Sequence, residues 1–186
     1  MPIEQRVIDA TLRCVARWGI GKTTLDDVAR EAGCGRASIY RAFRGGKQEV
    51  LTATLQRELV GAVAAIDAAV RDLDSLEEVL VAGTMTAARL VTDHAALGFM
   101  LANEPIAFER MARVFDAAAA CAAPHLARFI PTHEVPRAAE WVSRVVLTYA
   151  FNPPRTVDIR NADDARRLVR DYLLPALAPT TVSRSR

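Results

Sequence analysis

Apolar residues recur every three or four positions along most of this chain, and this spacing predicts amphipathic helices. No stretch alternates apolar and polar residues as a half-buried strand does. The predicted helices cover about residues 3–18, 24–32, 36–43, 47–70, 75–92, 95–103, 106–123, 135–151 and 161–175. The sequence therefore predicts an all-α fold of about nine helices.

Two of the predicted helices are short and are separated by a tight turn. Thr24 followed by Asp27 forms a capping-box pattern, because the threonine oxygen can accept a free backbone N–H. Gly33 suits the left-handed position that ends this helix, and Gly35 can serve as the N-cap of the next one. Cys34 is expected to turn inward as a small apolar residue of the turn. The pattern predicts a helix-turn-helix.

Polar and small residues occupy the outer side of the second short helix, whereas its apolar residues face the core. Arginine can pair bidentately with guanine, a tyrosine hydroxyl can reach a phosphate, and small residues allow close approach to the major groove. Arg36 and Arg41 are expected to contact bases or phosphates. Tyr40 and Lys47 are expected to anchor the DNA backbone. The candidate DNA-binding residues are Thr24, Arg36, Ala37, Ser38, Tyr40, Arg41, Arg44 and Lys47.

The stretch 6–51 resembles the N-terminal domain of the tetracycline-repressor (TetR) family of bacterial regulators. The matching residues are Arg6, Val7, Ile8, Asp9, Ala10, Gly19, Thr23, Thr24, Asp27, Val28, Ala29, Ala32, Gly33, Ile39, Tyr40, Phe43 and Lys47. Cys34 and Gly35 depart from the family, which more often has valine and serine or threonine there. The link from Phe43 to Lys47 is one residue longer than its common form. The resemblance implies a homodimer that binds double-stranded operator DNA and most often represses transcription.

Charge is distributed unevenly along the chain. The formal net charge is only +2, yet residues 1–47 hold nine Lys and Arg against five Asp and Glu. A basic N-terminal module on a mildly acidic body fits nucleic-acid binding confined to one end. We therefore predict a DNA-binding domain at 1–47, an effector-binding and dimerisation domain at 48–179, and a frayed tail at 180–186.

The patterns expected of a catalytic or metal site are missing from the sequence. It has no Gly-rich phosphate loop after a strand, no Gly-x-Ser-x-Gly elbow and no His-Glu-x-x-His motif. Its histidines lack a ligand spacing, and Cys14 and Cys121 are interpreted as small buried hydrophobes. We predict no enzyme activity, no cofactor and no metal, with a redox-sensing Cys34 as an open alternative.

We expect neither a signal peptide nor a membrane-spanning segment. The first residues lack the apolar region of a signal peptide, and no uncharged stretch is longer than twelve residues; the stretch 117–127 has eleven. We therefore expect a cytoplasmic protein without membrane contact.

Isolated polar residues lie among methionines and aromatics from about residue 85 to residue 115. Such a mixture suits a cavity for a largely apolar small molecule, and in the resembled family this region typically holds an inducer. Two alternatives stay open: the apolar residues are ordinary core, and the arginines reach solvent or pair with nearby acids. The candidate ligand-binding residues are Met85, Arg89, Phe99, Met100, Asn103, Arg110, Met111 and Phe115.

The last two predicted helices carry apolar stripes that a small body need not cover. In the resembled family these helices pair with those of a second copy as a four-helix bundle, whereas the alternative is ordinary core within one chain. Dimerisation is favoured because one short recognition helix reads too few bases. The candidate interface residues are Trp141, Val142, Val145, Val146, Tyr149, Leu168, Val169, Tyr172 and Leu173.

Together these observations predict a ligand-released repressor that binds an inverted-repeat operator as a homodimer. Ligand binding would tilt the long helix at 47–70 and move the two recognition helices out of register with successive major grooves. There are two alternatives. The first is a constitutive architectural DNA binder that has no effector, and the second is an enzyme.

Overall fold

The computed structural model describes residues 1–93 and 107–177 of the chain. Its helices are α1 (Ile3–Lys22), α2 (Leu25–Ala32), α3 (Arg36–Ala42), α4 (Gly46–Val70), α5 (Leu76–Asp93), α6 (Ala107–Leu126), α7 (Val135–Phe151), α8 (Ala162–Leu168) and α9 (Leu174–Leu177). A π-helical segment, Val169–Leu173, joins α8 to α9. Across these described ranges every regular element is helical, and the predicted all-α fold is confirmed.

Helix α1 contains a break at Gly19. This residue adopts φ 76° and ψ 167°, outside the helical region, yet helical backbone continues beyond it to Lys22. The hydroxyl and the N–H of Thr23 both donate to the Gly19 carbonyl and close the last turn. The regular helix therefore ends at Gly19, as the predicted range 3–18 has it, and a short helical turn follows to Lys22. The apolar spacing of the first helix places Trp18 on its buried side, but Trp18 is 41% exposed.

Two prolines lie inside helices that the sequence predicted to end close to them. Helix α6 continues through Pro124 to Leu126, because a proline near a helix end removes only one backbone hydrogen bond. Helix α9 likewise contains Pro175. In the π-helical segment before it, the N–H of Leu174 reaches the Val169 carbonyl, the wider turn of a π-helix. The predicted helix at 95–103 and the predicted tail at 180–186 lie outside the described residues.

The described residues form two compact units. The first contains 1–62, 91–93 and 107–113, and the second contains 63–90 and 114–177. Helix α4 contributes residues to both units, since the division falls between Ala62 and Val63. The predicted domain boundary between residues 47 and 48 concerns function and stays a prediction.

The core of the first unit is formed by α1, α2, α3 and the start of α4. Helices α2 and α3 are only eight and seven residues long, so their stability depends on burial against this core. Ile39 and Phe43 are both buried, as the sequence predicted. The buried members are Val7, Ile8, Ala10, Cys14, Leu25, Val28, Ala29, Ala32, Ile39, Phe43 and Val50.

The core of the second unit contains five residues that were predicted at a dimer interface. Four of them pack with residues of α5 and α6, and Leu168 packs in an adjoining cluster with Ala88 and Ile159. Other helices of the same chain therefore cover most of the apolar stripes of α7 and α8. These buried residues belong to the core of a single chain: Val142, Val146, Leu168, Val169 and Leu173.

The capping box of α2 forms as the sequence predicted. The Asp27 N–H donates to the Thr24 hydroxyl oxygen at 3.2 Å, and the Thr24 N–H donates to the Asp27 carboxylate at 3.2 Å. The Thr24 hydroxyl also donates to that carboxylate at 2.6 Å. These Thr24 hydrogen bonds lower the pKa of Asp27, because they favour its charged form.

We expect Thr24→Ala to lower the free energy of unfolding by about 1 kcal/mol, since α2 loses its cap acceptor. Urea unfolding at pH 7, followed by circular dichroism, measures this loss. The folded-state pKa of Asp27 lies below its ordinary value, so its contribution is present at neutral pH and disappears as pH falls through that folded-state pKa. The difference between variant and wild type should therefore narrow in acid.

Thr148→Ala is the matched control, because Thr148 is an exposed helical threonine whose hydroxyl bonds only the Arg144 carbonyl of its own helix. We expect a change within about 0.5 kcal/mol there. Equal losses in the two variants would contradict the assignment of the effect to the cap.

Candidate nucleic-acid interface and cavity

The turn between α2 and α3 is held by a cation from α1. Gly33 adopts φ 61° and ψ 44°, the left-handed conformation that the sequence predicted. The Arg6 guanidinium donates to the Ala32 carbonyl at 2.6 Å and to the Gly33 carbonyl at 2.7 Å. Arg6 therefore satisfies carbonyls that a helix leaves free at its C-terminus. Periodicity gave no signal for this role.

Helix α3 turns its apolar residues inward and its polar residues outward. Gly35 is its N-cap, with φ −79° and ψ 149°, and contributes no side-chain hydrogen bond. A Cβ atom added to Gly35 would meet nothing within 4 Å. Ser38 is half-buried, and Cys34 in the turn is half-buried against the core. The exposed face brings together four predicted DNA-binding residues: Arg36, Ala37, Tyr40 and Arg41.

Arg36 is held by two neighbours. Its guanidinium donates to the Asp26 carboxylate at 3.2 and 3.3 Å and to the Tyr40 hydroxyl at 3.3 Å. It also lies 5.6 Å from the centre of the Tyr40 ring. The hydrogen bond with Tyr40, and then the charge of Asp26, raise the pKa of Arg36, so the group stays cationic. The arrangement presents an oriented positive charge beside an aromatic hydroxyl.

Two other predicted DNA-binding hydroxyl groups already have partners. The Ser38 oxygen accepts a hydrogen bond from the Arg41 guanidinium at 3.0 Å. The Thr24 hydroxyl is engaged in the α2 capping box. A phosphate contact from Thr24 would therefore compete with the cap.

Lys47 and Arg44 are close in sequence but differ in their hydrogen bonds to the rest of the chain. The Lys47 ammonium donates to the Ile20 carbonyl at 2.8 Å and so binds the last turn of α1. Arg44 is exposed and makes no hydrogen bond with any residue in the described ranges. Lys47 thus has a structural partner that the sequence did not reveal, whereas Arg44 is available to solvent.

Four of the eight predicted ligand-binding residues have side chains within the described residues. Met85, Met111 and Phe115 are half-buried, whereas Arg89 is exposed. The Arg144 guanidinium lies 5.1 Å from the centre of the Phe115 ring. Phe99, Met100, Asn103 and the Arg110 side chain lie outside the described residues. None of the four described residues lines the cavity of the second unit.

A cavity of about 100 Å³ lies within the second unit and has mostly apolar walls. It is formed by the end of α4 together with α5, α6 and α7. Its lining residues are Ile66, Val70, Val79, Leu80, Gly83, Thr84, Ala87, Ala118, Cys121, Ala122, His125, Leu126, Val142, Ser143, Val146 and Leu147. Thr84 is 1% exposed, and its hydroxyl oxygen has no hydrogen-bond partner among the described residues.

The two titratable side chains in the described lining of the cavity, His125 and Cys121, already have partners within the chain. The His125 Nε2 atom lies 3.2 Å from an Asp67 carboxylate oxygen, and Asp67 also pairs with Arg71. The Cys121 thiol contacts the Val63 carbonyl at 3.9 Å. Burial, and then the charge of Asp67, raise the pKa of Cys121, so this thiol stays protonated at neutral pH. Among the described residues, no group of three or more histidine, cysteine, aspartate or glutamate side chains could hold a metal ion.

The remaining predicted interface residues form a partly accessible apolar set. Tyr172 is 64% exposed, and Trp141, Val145 and Tyr149 are half-buried. They lie on α7 and on the π-helical segment.

No helix in the described part of the chain is long and apolar enough to cross a membrane.

Comparison with known proteins gives a family match and full-length relatives. Residues 7–54 match the family model for bacterial regulatory proteins of the tetR family. An uncharacterized HTH-type transcriptional regulator of Mycobacterium tuberculosis is 28% identical over 182 residues, covering 96% of this chain and 87% of the relative. The family segment includes the helix-turn-helix described above.

Solved structures resemble this chain over most of its length. The fatty acid degradation regulator FadR from Bacillus halodurans has a TM-score of 0.69 at 16% identity, covering 91% of this chain and 95% of that one. The transcriptional regulator FadR from Bacillus subtilis, solved in complex with stearoyl-CoA, has a TM-score of 0.64 at 15% identity. That match covers 94% of this chain and 97% of the other. At these identities the likeness concerns the fold alone.

The Lys47 contact generates a prediction about stability. Lys47→Met keeps the aliphatic part of the side chain but removes the ammonium group that binds the Ile20 carbonyl. We expect the free energy of unfolding to fall by about 1 kcal/mol, the usual scale for a cation at a helix C-terminus. Urea unfolding measures the change.

Lys22→Met is the matched control, because Lys22 is exposed at the end of α1. Its effect should stay within about 0.5 kcal/mol. If Lys47→Met were as stable as the wild type, the contact with Ile20 would have no structural role.

Proposed function

Because this chain belongs to the tetR family of bacterial regulatory proteins, we propose that it is a homodimeric repressor that a small molecule releases from operator DNA. The family and the relatives are transcriptional regulators, and the prediction that the chain is not an enzyme is confirmed. The observation that carries the proposal is the outer face of α3. This face places Arg36, Tyr40 and Arg41 together on a short helix that follows a capped helix and a tight turn.

The α3 face has the chemistry needed to read a major groove. Arg36 and Arg41 supply planar guanidinium donors, which match the O6 and N7 acceptors of guanine. Ala37 is small, so the helix can approach the base edges closely. Tyr40 and Arg44 are exposed and suit contacts with phosphate oxygens. Helix α3 is therefore proposed as the recognition helix.

Dimerisation follows from the size of this helix. A helix of seven residues contacts few base pairs, and a two-fold dimer doubles the recognised sequence. The operator would then be an inverted repeat with half-site centres at least about 34 Å apart. Tyr172 and the half-buried Trp141, Val145 and Tyr149 offer apolar area for the interface.

Ligand control is supported by the cavity and by α4. This helix places Leu51 and Leu55 in buried positions of the first unit, and its end supplies Ile66 and Val70 to the cavity wall. A molecule that prefers one position of Ile66 and Val70 would shift the population of α4 conformations, and with it the DNA-binding helices. The structural relative from Bacillus subtilis in complex with stearoyl-CoA supports effector binding on this fold.

The proposal is tested by selecting binding sites from a pool of random double-stranded DNA. We expect an inverted repeat to be enriched, with an affinity that falls as salt rises, because phosphate contacts release counterions. A constitutive architectural protein would enrich no defined repeat. Absence of DNA binding at low salt would overturn the proposal.

Arg36→Ala and Arg41→Ala should each weaken binding to the selected site by about 1–3 kcal/mol and relax base preference at one position per half-site. The physical reason is the loss of a bidentate contact to a base edge. Fluorescence anisotropy with the selected site and with single-base variants of it measures both quantities.

Arg137→Ala is the matched control, because this exposed arginine lies on α7 and makes only a helical pair with Glu134. It removes the same charge and should leave binding almost unchanged. If both α3 variants behaved like Arg137→Ala, α3 would not be the reading helix.

Tyr172→Glu should shift the chain from dimer to monomer at micromolar concentration, because a carboxylate in an apolar interface loses its hydration. Tyr172 is 64% exposed within one chain, so the fold itself should tolerate the change. Sedimentation velocity measures the state. Val60→Glu adds the same charge at a 65% exposed apolar residue of α4 and should leave the dimer intact. A wild-type monomer would contradict the interface.

A further inference from the structure

The residues that line the cavity of the second unit indicate which class of ligand it binds. We infer that it takes an uncharged, mainly aliphatic molecule that carries one hydrogen-bonding oxygen, as an alcohol or a carbonyl does, and that Thr84 binds this oxygen. The inference rests on the proposed ligand control of DNA binding and names the class of effector. Its basis is the unpartnered hydroxyl of Thr84, the mostly aliphatic remainder of the walls, and the carboxylate that His125 faces.

Thr84 is the polar group that lacks a partner in the described structure. Its hydroxyl oxygen is fully buried and makes no hydrogen bond, although two other buried threonines, Thr11 and Thr54, donate to carbonyls of their own helices. An unsatisfied buried hydroxyl is unfavourable. A hydroxyl both donates and accepts hydrogen bonds, so either an alcohol or a carbonyl oxygen of a ligand would give Thr84 the hydrogen bond that it lacks.

The rest of the wall selects for hydrocarbon. Most lining residues are aliphatic, and the small ones, Gly83, Ala118 and Ala122, leave the open space. A dry engineered cavity of about 150 Å³ binds benzene, so the cavity of about 100 Å³ suits a molecule of similar or smaller size. The ligand should therefore be a short aliphatic chain rather than a bulky polar metabolite.

The charges beside the cavity disfavour an acid. Among the described residues no lysine or arginine lines the cavity, so a bound carboxylate would be buried without a cation. Within the described lining, His125 is the side chain that could become a cation, and its Nε2 atom already faces the Asp67 carboxylate. Neutral ligands are therefore preferred over acids of equal chain length.

Binding of three probes to the full chain tests this inference without DNA. The probes are 1-pentanol, pentanoate and benzene, titrated at pH 7 and followed by NMR. We expect 1-pentanol to bind at least about tenfold more tightly than pentanoate, because the carboxylate must give up its hydration. Pentanoate binding as tightly as 1-pentanol would overturn the inference.

Thr84→Val tests the role of the hydroxyl, because valine has nearly the same shape. It should weaken 1-pentanol about tenfold, the value of one hydrogen bond, and leave benzene unchanged. The unliganded variant should melt no lower than the wild type, since the lost hydroxyl had no partner. Unchanged 1-pentanol affinity, or equal weakening of both probes, would refute the role of Thr84.

Two control variants separate chemistry from packing. Gly83→Ala adds a Cβ at 3.8 Å from the Val70 side chain, an ordinary contact, and should weaken 1-pentanol and benzene alike by occupying space. Thr54→Val removes a paired hydroxyl away from the cavity and should leave both probes unchanged. The same pattern in all three variants would overturn the inference.

A separate measurement tests the proposed function. Saturating 1-pentanol is added to the complex with the selected DNA, and release is followed by anisotropy. If 1-pentanol binds through Thr84 but DNA stays bound, ligand control by this cavity fails while the chemistry of the cavity stands. If a pentanoate-like acid releases DNA and 1-pentanol does not, the chemistry fails while ligand control stands.

Discussion

The first unit depends on the way its cations satisfy backbone carbonyls. Helices of eight and seven residues are far below the length at which a helix persists alone in water. Arg6 binds the end of α2, and Lys47 binds the end of α1. Two groups can be distinguished among the basic residues of this unit, apart from residues such as Arg13 and Arg57, which pair with carboxylates. One group bonds the backbone, and the other, including Arg36 and Arg41, faces solvent on α3.

The sequence predicts those features that are determined by residues a few positions apart. Thr24 and Asp27 cap α2, Gly33 ends it, and Ile39 is buried, because each obeys a local rule of helix geometry. The contact of Lys47 with Ile20 joins residues 27 positions apart. Nothing in the periodicity of either helix indicates which carbonyl a lysine will reach, so this contact required the structure.

Periodicity also indicates which helix face is apolar, but not what covers that face. Val142 and Val169 lie on stripes that looked available for a partner, yet helices of the same chain bury them. The cavity presents the same difficulty. Its space comes from small residues such as Gly83 on α5 and Ala118 on α6, which give no pattern of their own. The missing partner of Thr84 is likewise a property of three-dimensional packing.

The open surroundings of Gly35 have a practical consequence for engineering. An added Cβ atom meets nothing within 4 Å, and the backbone already has the extended conformation of an N-cap. Serine there would give the first turn of α3 a neutral acceptor, whereas aspartate would give it an acceptor with a negative charge. We expect both substitutions to stabilise the helix, whereas only aspartate would repel a polyanion. One position thus allows the folding of a DNA-reading helix and its electrostatic attraction to nucleic acid to be varied independently.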